Sequence, residues 1–219
     1  MDTVLHTARE QQTGRNALPK LGMRDTRQQQ FINAAITIIG EVGLRNASNA
    51  RIAAQAGLSA SLLPHYFPDK SLLLTAILRH LLRDRHLLLL DRIAACDTAL
   101  DRLHARIDAY FAPDLYTPEM RRLWIDLQHA ASEHHMMQRV QFAFEARLQA
   151  TVRADLRPLL SQRTLDQAAI GFTALMSGLR LKILHTPDRL DEEQAAALQR
   201  QYLTMITTRI RISAAERLV

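Results

Sequence analysis

The stretch from Ser48 to Lys70, SNARIAAQAGLSASLLPHYFPDK, sets the tightest limit on the fold. Ser48 stands as an N-cap ahead of a short apolar-periodic run carrying Ile52, Ala53 and Ala56. Gly57 follows, a residue that enters left-handed backbone without steric cost, so the chain can turn sharply there. Ser59 is placed to cap a second run, Ala60 to about Phe67, and Asp69 to cap a third that starts at Lys70. Two short helices across a glycine turn make a helix-turn-helix, in which small Ala53 permits close approach and Ile52, Ala56, Leu58, Leu63 and Tyr66 face inward. So small a unit cannot bury itself, and the preceding segment must complete its core. A helix predicted from Asp25 or Thr26 to Val42 does so, with Phe31, Ala34, Ala35, Ile38, Ile39 and Val42 on one face and Gly43 as its stop.

Beyond Lys70 little interrupts a helix, because the 219 residues include only seven Gly and seven Pro. The apolar series Leu72, Leu73, Ile77, Leu78, Leu81 and Leu82 predicts a long helix to about Ile93. Five more helical stretches follow: Asp97 to Phe111, Pro118 to His134, His135 to Leu160, Thr164 to His185 and Asp191 to Ser213. Breaks fall at Pro113, at the His134-His135 junction, after Pro158 and at Pro187, while Thr117 and Asp191 begin helices conventionally. The expected fold is all-α: a three-helix head over residues 23–70, then a long helix leading into a helical bundle over residues 71–219. Residues 1–22 are polar and aperiodic and read as a flexible arm, with Arg9, Arg15 and Lys20 available to a phosphate backbone.

The formal charge of +6 suits a polyanionic partner. A single cysteine, Cys96, excludes an internal disulfide and a multi-cysteine metal site and fits a reducing cytoplasmic setting. The first twenty residues lack the apolar centre of a secretory signal, and the longest uncharged apolar stretch, Ala168 to Leu179, falls short of the roughly 20 residues that span a bilayer. No membrane association is expected.

Three groups of residues carry a resemblance to the TetR family of bacterial transcriptional regulators. They are Ala34-Ala35 with Gly40-Glu41-Val42-Gly43-Leu44, then Ile52-Ala53 with Ala56-Gly57-Leu58-Ser59, and His65-Tyr66-Phe67-Pro68-Asp69-Lys70 before Leu72-Leu73. Within the family the chain is similar to the choline-responsive repressors of glycine-betaine synthesis, through Leu-Pro-Lys-Leu-Gly-Met at 18–23, the Arg27 to Gln30 run, His65-Tyr66-Phe67, Trp124 and Gly178-Leu179. The resemblance implies a homodimer formed by the last two helices, symmetric binding to palindromic operator DNA, and a small-molecule effector in the bundle. Two positions depart from it. Pro64 lies inside the recognition helix where the family commonly has an aromatic or hydroxyl group, and Gln128 and Arg180 stand at positions that resemble tryptophan sites of the choline-responsive repressors. Arginine in a pocket repels a cation and welcomes a carboxylate or phosphate.

For the DNA site, the exposed face of the second short helix offers Ala60, Ser61 and His65 to base edges. Ser48, Tyr66, Lys70 and Arg27 are assigned to phosphates. For the effector, Trp124, Gln128, Phe144, Phe172, Met176 and Arg180 are the candidate lining, with Phe142 as a further closing residue. Two rival functions have a basis in the residues. A helical metal-dependent enzyme would use Asp126, His129 and Glu133, and an architectural DNA-binding protein would have a bundle without a ligand. No nucleophile-base pair, glycine-rich phosphate loop or three-histidine helix face stands out, so neither catalysis nor a cofactor or metal is expected.

Overall fold

The computed structural model describes the backbone of residues 20–215 and the side chains of residues 24–208. Helix α1 (Lys20–Val42) begins directly after Pro19, about five residues earlier than its apolar face suggests. A proline is tolerated ahead of a helix, and the polar residues between it and Phe31 include good helix formers. Lys20 therefore belongs to α1, not to the arm; Arg9 and Arg15 lie outside the described residues. Helix α2 (Asn49–Gln55) is capped by Ser48, whose hydroxyl accepts the Arg51 N–H at 3.3 Å. Gly57 has φ +67° and Gly43 φ +80°, so both sharp turns rest on glycine as anticipated.

The second short helix is not continuous. A 3₁₀ turn (Ala60–Leu62) passes into a single α-turn, α3 (Leu63–Tyr66), with Pro64 in its first turn. The cause is Pro64 itself: it has no N–H to return to Ala60, so an uninterrupted α-helix lacks a bond there, whereas in a first turn the missing donor costs nothing. Ser59 does not cap through its side chain; its hydroxyl pairs with that of Ser61 at 2.9 Å.

Asp69 caps α4 (Lys70–Ala94), accepting from the Ser71 N–H and hydroxyl at 2.9 Å each. These bonds, the backbone one foremost, hold the Asp69 carboxyl below its ordinary value. Helix α5 (Ala99–Tyr110) starts two residues later than expected because Thr98 and Asp101 form a reciprocal capping box. A 3₁₀ turn (Pro113–Tyr116) leads into α6 (Pro118–Glu133), capped by Thr117. Helix α7 (His135–Leu156) stops short of Pro158, which cannot donate to a continuing helix. Helices α8 (Gln162–His185) and α9 (Glu192–Ala215) complete the chain, with Asp191 and Gln194 exchanging bonds of 2.8 and 3.2 Å at the start of α9.

One contiguous apolar core joins head and bundle. Phe31, Ile39, Ile52 and Leu63 are buried in the head, Leu74, Ile77 and Leu78 on α4 carry the core onward, and Leu123, Leu127, Phe172 and Met176 fill the bundle. Between α5 and α7, Arg102 and Arg106 each donate through Nε to one oxygen of buried Asp155 at 2.8 Å. Among the described residues no helix is long and apolar enough to cross a membrane.

Candidate functional site

Two sites emerge, one at each end of the shared core. In the head, Arg27, Ser48, Ala60, Ser61, His65 and Lys70 are all exposed and Tyr66 is half-buried, while Phe67 is packed into the core. The split of the second short helix leaves Ala60 and Ser61 on the 3₁₀ turn and His65 and Tyr66 on α3, with the His65 and Tyr66 rings edge to face at 5.6 Å. Tyr66 also packs its ring on Phe31 at 5.7 Å, so its body is structural, while the residue as a whole stays half-exposed. A small cleft shared by Asn49, Pro64, Phe67 and Lys70 brings the starts of α2 and α4 beside α3. The Lys70 ammonium donates to the Leu44 carbonyl at 3.1 Å and remains exposed. A surface of this kind has several donors for phosphates and few side chains for base edges.

In the bundle, a cavity of about 270 Å³ opens among α4, α6, α7 and α8. Trp124, Gln128, Phe144 and Arg180 all line it, four of the six anticipated residues. Phe172 and Met176 do not; both are fully buried on the α8 face that packs into the core. They share their helix with Arg180 but fall on its core-facing stripe with Leu165, Ala169, Leu179 and Ile183, which the α8 periodicity alone already groups together. Phe142 is 73% exposed and closes nothing.

The important omission from the sequence reading is Arg85. Its guanidinium carbon lies 4.6 Å from the Tyr110 ring centre and 5.6 Å from that of Trp124, and Arg180 lies 5.6 Å from the same Trp124 ring. Arg85 is buried to 8% exposure, yet its Nη2 has no hydrogen-bond partner, and neither does the buried Nε of Arg180. A signal existed: Arg85 continues the buried series Leu74, Ile77, Leu78, Leu82 at helical spacing, so a cation occupies an inward position.

A second, larger cavity of about 470 Å³ lies between α4, α5 and α7 and shares Leu82, Arg85, Tyr110, Phe144 and Leu148 with the first. Its wall is largely apolar, with Arg79, Arg83, Arg106, Arg147 and His86 around it and no acid in its lining. Partial burial, then Arg147 and Arg106, holds His86 below its ordinary pKa of 6.5. Tyr116 closes the base of α5, donating to the Tyr110 carbonyl at 3.0 Å, and burial pushes its phenol well up.

Helix α6 connects the two sites. Trp124 and Gln128 face the cavity, while Arg122 and Asp126 reach the end of α1. Arg122 donates to the carbonyls of Gly40, at 2.7 Å, and Glu41, and Asp126 accepts the Leu44 N–H at 2.7 Å. A Cβ on Gly40 would stand 3.1 Å from the Glu119 Cβ and 3.2 Å from its carbonyl, so glycine is what lets the helices come this close. Asp126 thus takes part in docking the head. Among the described residues no cluster of three or more His, Cys, Asp or Glu side chains is arranged to hold a metal ion.

Comparison with known proteins adds the following. The model of the BetI-type transcriptional repressor C-terminal domain matches residues 99–208, and that of the tetR family of bacterial regulatory proteins matches residues 31–77. The HTH-type transcriptional regulator BetI 2 of Chromohalobacter salexigens is 34% identical over 197 residues, which are 87% of this chain and 93% of the relative. The regulator BetI of Escherichia coli K12 is 31% identical over 189 residues, 85% and 97% of the two chains. Among solved structures, a transcriptional regulator from Rhodococcus sp. Rha1 superposes with a TM-score of 0.71 at 19% identity over 82% of this chain and 95% of that one. A Saccharomonospora viridis protein solved in complex with choline has a TM-score of 0.68 at 16% identity over 82% and 96%.

Proposed function

The chain belongs to the TetR family of bacterial regulatory proteins, in the branch with a BetI-type repressor C-terminal domain, and on that premise we propose that it is a cytoplasmic homodimeric repressor released from operator DNA by a small molecule. In this reading Ser48, Tyr66, Lys70 and Arg27 hold phosphates while Ala60, Ser61 and His65 face base edges. The effector occupies the cavity walled by Trp124, Gln128, Phe144 and Arg180, and the protein has no catalytic role. The observation that carries the proposal is the double engagement of α6, which lines the cavity with Trp124 and Gln128 and grips the head with Arg122 and Asp126.

Mechanistically, two heads can occupy a palindrome only at one separation. An effector that binds better to a bundle shape with a different head spacing shifts the population away from that separation. Because α6 is one unbroken helix and is bonded to the end of α1, a displacement at Trp124 would be delivered to the glycine turn after Val42. The exposed stripes Ile170, Ala174, Gly178, Leu181 on α8 and Leu198, Gln201, Met205 on α9 support a dimer seam there. A cavity among the bundle helices favours this reading over an architectural DNA-binding protein, and the use of Asp126 as a docking group speaks against the metal-enzyme reading.

The test is to sequence genomic DNA fragments retained by the full chain. Fragments sharing an inverted repeat with half-sites about one helical turn or a multiple apart are expected. Retention of fragments without a common repeat would overturn the operator-binding dimer.

A further inference from the structure

We infer that the effector is an organic anion with a hydrocarbon body, its carboxylate or phosphate held between Arg85 and Arg180 and its apolar part lying along the trough between α4, α5 and α7. The inference rests on the effector-cavity reading above and names the class of molecule that the cavity takes.

Three observations converge on it. Both guanidiniums lie against the same indole, and each has a buried nitrogen without a hydrogen-bond partner. Neither arginine forms an ion pair with a carboxylate among the described residues. An arginine cannot shed its proton to escape burial, so a buried, unpaired guanidinium is costly until an anion arrives. Glu145 is the only acid lining this cavity, and it is exposed.

The aromatic surfaces point the same way. A quaternary ammonium needs open ring faces, and here the protein's own cations lie against the rings of both Tyr110 and Trp124. A bound cation would have to displace Arg85 or Arg180 while being repelled by both. An anion keeps those contacts and supplies the missing acceptors.

The apolar part of the ligand follows from the second cavity. Arg85, Tyr110 and Phe144 belong to both walls, so a headgroup at Arg85 has Leu82, Leu89, Ile93 and Val140 within reach of its body. The trough is lined mainly by hydrocarbon, and its charged rim is cationic. An amphiphilic anion matches both properties at once.

Trp124 is the chain's only tryptophan, so its fluorescence reports this cavity directly. The probes are octanoate, hexanoate and acetate, with octylammonium and choline as cations. Octanoate is expected to give a saturable change, with hexanoate weaker by about fourfold per methylene removed and the cations without effect. Arg85→Met and Arg180→Gln should each weaken octanoate about tenfold or more. Arg180→Gln carries the test if the buried Arg85 variant fails to fold. Saturation by octylammonium or choline without octanoate would overturn the anion and leave the effector cavity standing. Loss of any octanoate response, equal affinity for acetate and octanoate, or undiminished octanoate binding in Arg180→Gln would also overturn the inference. Octanoate that saturates Trp124 yet leaves operator affinity unchanged would instead overturn the effector reading, with the anion site intact.

Discussion

The Asp126 carboxylate accepts the backbone N–H of Leu44 at 2.7 Å, and the carbonyl of that same Leu44 accepts from the Lys70 ammonium at 3.1 Å. One residue of the turn after α1 is therefore held on one side by a helix of the effector cavity and on the other by a candidate phosphate contact. Asp126→Ala removes a charge-assisted bond and should lower stability by about 1.5 kcal/mol in chemical denaturation. Ligand titration of Trp124 should be unchanged, whereas the effect of bound ligand on operator affinity should shrink. A full-sized effect in the variant would remove Asp126 from the route.

In the head, Lys70→Ala should weaken binding to all DNA sequences alike and reduce the slope of log affinity against log salt by about one. Ser61→Ala should leave the salt slope unchanged and alter sequence preference. Anisotropy titrations over a salt series distinguish the two, and equal slopes for wild type and the Lys70 variant would refute the phosphate assignment.

Asp155 is 6% exposed and pairs with Arg102 and Arg106 at once, fastening α5 to α7. Asp155→Ala leaves buried Arg106 without its counter-charge and should cost about 3–5 kcal/mol in equilibrium unfolding. A loss below about 1 kcal/mol would mean that the bundle relaxes to hydrate both arginines.

His86 titrates below its ordinary 6.5 because burial and the arginines around it disfavour the imidazolium. The sign follows from the lowered folded value: above about 6.5 its contribution to stability is intact, and it is lost as pH falls through the folded pKa, where the unfolded chain takes up the proton more readily. Unfolding measured between pH 7 and pH 5, roughly the span over which histidine changes charge, should show this slope, and His86→Gln should flatten it. Octanoate, whose hydrocarbon body would lie in the trough beside His86 and take water from it, should lower the His86 value further in an NMR titration. An unmoved resonance midpoint would argue against a ligand body in the trough.

The α8 and α9 stripes can be tested at Gly178, where an added Cβ meets nothing within 4 Å in the protomer. Gly178→Glu should keep its helical signal, since glutamate is the better helix former, and sediment as a monomer, whereas the wild type is expected to sediment as a dimer. An unchanged sedimentation coefficient would place the seam elsewhere.

Much of this arrangement is legible in the chain because its causes are local. Ser48, Asp69, Thr117 and Asp191 each cap a helix through partners no more than three residues away, and Gly43 and Gly57 turn where expected. Pro64 is visible in the sequence as a residue inside the recognition helix, but its effect, the division of that helix into a 3₁₀ turn and an α-turn, shows only in the structure. The candidate site was less legible. Trp124, Gln128, Phe144 and Arg180 meet at one cavity, whereas Phe172 and Met176 fall on the core stripe, because lining depends on the angle at which α8 meets α6 and not on its own period.

Periodicity, caps and breakers, all acting within a turn or two of backbone, suffice to dictate an all-α chain with a helix-turn-helix head, a long connecting helix and five further helices. Only the tertiary structure decided that Arg85 and Arg180, from the fourth and eighth helices, would stand at one indole with unpaired nitrogens, and that Asp126 would serve the head. Those relationships depend on how whole helices cross, which side-chain volumes throughout the core set jointly and no short stretch of sequence encodes.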